Sequence, residues 1–130
     1  MAAAPSSVAA GTPLWSSSQL KASGSFKNTV SASATYSYTL QLVRTGSATK
    51  PTCLPPSGCA TVGSQALLRT VTSSVSVAKS STITLPTLST NCAANSNLKY
   101  NSYYWSWLKV ADSSGNVVVA LSSYIAGKYC

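Results

Sequence analysis

The chain has 130 residues, enough for one ordinary domain, with nine Lys and Arg set against a single acid, Asp112, and with no His or Glu. A Ser–His–Asp triad, a carboxylate pair and an HExxH zinc site are therefore excluded, and hard cations find no cluster of acids. The composition points to a binding or structural protein rather than an enzyme, with no metal and no cofactor.

The apolar fraction of 45% is high enough for a packed core, and Ser and Thr together supply 40 residues. Good helix formers are few, while Val, Thr and Tyr are many, which points to a mainly β protein. The formal net charge of +8 favours a polyanionic partner as well as a soluble, self-repelling surface. The cations are scattered, so any electrostatic face has to come from folding or from the assembly of many copies. No run of apolar residues is long enough to span a bilayer, and the N-terminus reads as neither a signal peptide nor an anchor.

Residues 1–25 are rich in Ala and Ser, with Pro5, Pro13 and Gly24, and are expected to be extended chain with short strands at most. From Phe26 a period of two begins. Lys27, Thr29, Ser31 and Ser33 share one face, opposite Phe26, Val30 and Ala32. The next run repeats it: Tyr36, Tyr38, Leu40 and Leu42 lie opposite Thr35, Ser37, Thr39 and Gln41.

A Pro/Gly loop follows, holding Cys53 and Cys59. Five intervening residues and the absence of His argue against zinc and for disulfides. Four cysteines, with Cys92 and Cys130, allow three pairings within the chain, and bonds between subunits remain open. Over residues 67–77, Leu67, Val71, Val75 and Val77 alternate with Thr and Ser, and Arg69 interrupts the apolar side. Lys79-Ser80-Ser81 reads as a turn or bulge. Ile83 and Leu85 point inward before Pro86, which belongs at a strand end or edge.

The C-terminal region changes period. Tyr100, Tyr104, Trp107, Leu108 and Ala111, then Val117, Val118, Leu121, Tyr124 and Ile125, fit two short amphipathic helices joined through residues 112–116. A β-hairpin competes, because Val117-Val118-Val119 is β-branched and residues 103–107 are rich in aromatics. The Tyr/Trp cluster reads as core.

Consecutive amphipathic strands, a loop with two close cysteines after residues 38–43, and a closing strand over 83–91 leading to two helices resemble the coat protein of single-stranded RNA bacteriophages, the levivirus type. That resemblance implies an α+β fold: one antiparallel sheet over residues 26–91, with a helical tail over 98–130 packed on one face, forming an intertwined dimer. It implies a structural capsid protein that self-assembles from homodimers into an icosahedral virion in the host cytoplasm. Its inner sheet face would bind single-stranded RNA through Lys27, Thr29, Ser31, Ser33, Ser37, Thr39, Gln41, Thr82 and Thr84, with Arg44, Lys50, Arg69 and Lys79 supplying charge nearby. Cys53 and Cys59 would bond between subunits. No membrane and no small-molecule substrate is implied. A second reading is a secreted fibronectin type III or immunoglobulin-like β-sandwich, an adhesion or binding module, on the strength of residues 81–88 and 103–117. Helix or hairpin over residues 100–125 separates the two.

Overall fold

The computed structural model describes residues 6–16, 19–45, 66–91 and 103–126. They form nine strands: β1 (Ser6–Ser16), β2 (Gln19–Lys27), β3 (Ala34–Thr45), β4 (Ala66–Val77), β5 (Thr82–Thr84), β6 (Leu88–Asn91), β7 (Tyr103–Ala111), β8 (Val117–Leu121) and β9 (Ile125–Ala126). All the ladders are antiparallel. In sheet A, β2 sits between β1 and the consecutive strands β5 and β6; in sheet B the order is β4-β3-β7-β8, with β9 beside the start of β7.

The two sheets pack face to face through their alternate residues. Leu20, Ala22 and Phe26 of β2, with Leu85 and Leu88, meet Tyr36, Tyr38, Leu40 and Leu42 of β3, Val77 of β4, and Tyr104, Leu108 and Val110 of β7. Burying each large apolar side chain contributes about 1.5–3 kcal/mol. Two edge-to-face aromatic pairs tie the layers: Phe26 on Tyr36 at 5.1 Å and Trp15 on Tyr104 at 5.5 Å. Gly24 faces inward where a Cβ would come within 2.9 Å of Leu108 Cδ2, so its lack of a side chain permits the close approach of β2 to β7.

This architecture corrects the α+β expectation. Among the described residues there is no helix, and the layer covering sheet B is a second sheet. The expected helices are β7, β8 and β9. The misreading has a physical cause: β7 is buried on both faces from Tyr104 to Leu108, so its apolar residues run together and lose the period of two. Tyr104, Leu108 and Val110 enter the core between the sheets. Trp105 and Trp107 face the other way and are buried there as well.

Two strand expectations also change. The N-terminal segment holds full strands rather than short pieces, and together they build half of sheet A. The strand expected over 26–33 stops at Lys27. Asn28, fully buried, then turns the chain by donating from Nδ2 to the carbonyls of Ala32 and Val77 (both 3.0 Å) and Ala78 (3.3 Å). Its Oδ1 accepts from the Val30 amide (3.0 Å) and the Tyr36 hydroxyl (2.9 Å). Lys79 and Ser80 do form a turn, with Ser80 at φ 53° and the Ser81 amide donating to the Ala78 carbonyl.

Candidate ligand-binding cleft and cationic faces

The residues expected to form one RNA face are distributed over three surfaces. Lys27 pairs in register with Thr82, and Thr84 with Ser25, so Lys27, Thr82 and Thr84 stand on the outer face of sheet A. Thr29, Ser31 and Ser33 are exposed in the connection between β2 and β3. Ser37, Thr39 and Gln41 stand on the outer face of sheet B, on the opposite side of the sandwich, because their neighbours Tyr36, Tyr38, Leu40 and Leu42 fill the core. There Thr39 and Thr72 share a hydroxyl–hydroxyl hydrogen bond at 3.2 Å, while Gln41 is 5% exposed and presents little to a partner. Cys53 and Cys59 lie outside the described residues.

The cations follow the same division. Lys21 and Lys27 project from alternate positions of β2 on the outer face of sheet A, and Lys109 stands opposite Thr39 on sheet B. Lys79 is exposed in the β4–β5 turn. Arg44 is not available at the surface: it is 9% exposed, opposite Tyr104, and its Nε has no hydrogen-bond partner. The one acid is at the other end of that ladder, just after the Ala111–Ser37 pair.

Asp112 is committed to the β7–β8 turn. Its Oδ1 accepts from the amides of Ser114 and Asn116 (both 2.9 Å), and its Oδ2 accepts from Asn116 Nδ2 at 2.8 Å. These donors, the Asn116 side chain first, hold its carboxyl below the ordinary value against a smaller opposing effect of desolvation. Gly115 at φ +86° completes the turn. Every oxygen of the carboxylate is thus aimed at the chain's own amides. At the same end, burial and the charge of Asp112 hold the Tyr36 phenol above its usual value.

A cleft with a volume of about 450 Å³ opens along one side of the sandwich, between edge strand β4 and the segment joining β5 to β6. It is lined by Tyr38, Arg69, Thr70, Val71, Ser73 and the run Pro86-Thr87-Leu88-Ser89. Its origin lies in the register. Arg69, Val71 and Ser73 pair with Leu42, Leu40 and Tyr38, the core-facing residues of β3, so the inner side of β4 overhangs sheet A. Pro86 prevents β5 and β6 from forming one continuous strand, and the chain between them forms the far wall. Arg69 breaks the apolar pattern of β4 because its position opens into this cleft, where it remains exposed. The interrupting arginine was the one signal in the sequence; its opposite wall, about 17 residues further on by numbering, was not recognisable as such.

No protein-family model and no curated protein sequence matches the chain. Among solved structures, it is similar to a part of Bacteroides uniformis beta-glucuronidase 2, described in a covalent complex with cyclophellitol-6-carboxylate aziridine. The identity is 15% and the TM-score 0.53, over 94% of this chain and 13% of that one. At that identity the likeness is one of fold, and the two-sheet β-sandwich is what the chain shares with a small portion of a much larger protein.

Proposed function

We propose that this chain is a non-catalytic β-sandwich module of the fibronectin type III or immunoglobulin-like kind, a secreted adhesion or binding module whose partner is anionic. The observation that carries the reading is the strand order. The first, second and fifth-to-sixth strands share one sheet, and the third, fourth, seventh and eighth share the other. With β5 and β6 counted as one interrupted strand and β4 as an added strand beside β3, this matches the immunoglobulin-like division of first, second and fifth strands against third, sixth and seventh. A coat-protein role belongs to a fold with a helical layer over a single sheet, whereas the described residues form two facing sheets and no helix.

The surface chemistry supports the anionic partner. Lysines project from the outer faces of both sheets, Arg69 stands in the cleft, and the only acidic side chain is tied into a turn. Retention of the purified protein on immobilised heparin, and separately on immobilised neutral dextran, tests this reading. Retention on heparin that falls steeply between about 50 mM and 200 mM salt, with none on dextran, is the expected result. Equal behaviour on both matrices at the lower salt overturns it.

A further inference from the structure

We propose that the cleft between β4 and the β5–β6 connection is a binding site for an anionic sugar unit, with Arg69 as its charge contact. This rests on the reading of the chain as a binding module and adds a site and a ligand class to it. The cleft volume of about 450 Å³ lies in the usual range of small-ligand sites. Its lining combines the three kinds of group that a charged sugar requires. Val71 and Pro86 offer apolar surface to the C–H face of a sugar ring, above the buried Tyr38 and Leu88. Thr70, Ser73, Thr87 and Ser89 bring short hydroxyl side chains to the rim, and the adjoining backbone offers further donors and acceptors. Arg69 supplies the planar, two-pronged donor that matches a carboxylate or sulfate.

Nucleic acid fits less well. Tyr38 is only 6% exposed and is built into the core, so it gives no flat platform on which a base could stack. The cleft holds one charge, whereas a nucleic-acid backbone presents a phosphate at every step. The cationic outer faces lie elsewhere on the sandwich and attract polyanions without requiring this cleft.

Isothermal titration of the full chain with an oligogalacturonate trimer, its methyl ester, a heparin tetrasaccharide and a short single-stranded DNA tests the site. The expected result is binding of one or both acidic sugars, a loss of roughly tenfold or more in the methyl ester, and weaker binding of the DNA. Tighter binding of the trimer than of the heparin tetrasaccharide identifies the preferred anion as a carboxylate, and the reverse identifies a sulfate. Arg69→Gln weakens binding of the acidic sugar by roughly tenfold, whereas Lys109→Gln on the outer face of sheet B changes it less than about twofold. Both variants must melt within a degree or two of the wild type, since both positions are exposed. An additional variant, Thr87→Tyr, fills the cleft without altering charge and is expected to abolish sugar binding while retention on heparin persists. Equal losses in the Arg69 and Lys109 variants, or unchanged sugar binding in Thr87→Tyr, overturn the cleft assignment while leaving the module reading intact. Failure of the wild type to be retained on heparin is instead the failure of the module reading. Preferential binding of the DNA overturns the sugar assignment.

Discussion

Asp112 links the β7–β8 turn to pH. It is the only acidic side chain in the sequence, and all its described hydrogen bonds come from the turn it closes. Those bonds hold its folded-state value below the unfolded one. The stabilisation is therefore fully present above the unfolded carboxylate value, about 3.9, and is lost as the pH falls through the lower folded value. Other proteins lose many side-chain carboxylates over the same range; this chain has one acidic side chain to lose. The melting temperature should stay nearly level from about pH 7 to about pH 4, then fall as the medium becomes more acid. Asp112→Asn should melt lower than the wild type at neutral pH and show a shallower fall in acid. Thermal melts of both proteins across the acid range check this, and a wild type that loses stability steadily from pH 7 downwards would contradict it. The sequence marked Asp112 as a turn residue and as the lone acid. It could not show that both its oxygens are occupied, because that depends on how the five residues 112–116 close between two strands.

At the scale of elements, legibility followed how many faces of a strand are buried. β3 was readable because from Tyr36 to Leu40 its inner residues are buried and the intervening ones face outward. β7 was misread because Trp105 and Trp107 are covered on the side away from the core. Trp105 donates from Nε1 to Thr45 Oγ1 at 2.8 Å, and Tyr124 packs on its ring at 5.4 Å. β1 and β2 were underestimated because close sheet packing there uses Ala22 and Gly24, which carry little hydrophobic signal. The end of β2 was missed for a different reason. Ser and Thr alternate through residues 29–33, but the buried Asn28 side chain offers the backbone better partners than a ladder does. That side chain also joins two elements distant in sequence, since it holds the β2–β3 connection against the end of β4. Asn28→Ala removes several buried hydrogen bonds at once and leaves the Val77 carbonyl and the Tyr36 hydroxyl in need of new partners. The expected cost is about 2–4 kcal/mol, read as a lower midpoint in urea with an unchanged slope. Asn28→Asp should restore little of it, because a carboxylate accepts from Val30 and Tyr36 but cannot donate to the three carbonyls.

At the scale of the whole molecule, the division of charge and apolar surface sets how copies of the chain behave toward one another. The chain carries a formal net charge of +8, and that charge keeps copies apart at low salt. Strand β8 is the outermost described strand of sheet B beyond β7, and its sequence Val117-Val-Val-Ala-Leu121 contains no charge and no proline. Val117 and Val119 are each 49% exposed. An edge of this kind lacks the inward charges, bulges and prolines that usually block strand addition. What opposes strand addition here is long-range repulsion, and salt screens that beyond about 8–10 Å near physiological ionic strength. Self-association should therefore increase with salt, opposite in sign to the salt dependence of anion binding. Val119→Lys places a charge on the edge strand itself, where screening is less effective because a second strand would have to bury it. Sedimentation velocity over a range of protein and salt concentrations distinguishes these effects. The wild type should shift toward larger species as salt rises, while Val119→Lys stays at the monomer position throughout. If both proteins associate alike at high salt, β8 is not the contact and the apolar edge has no part in association.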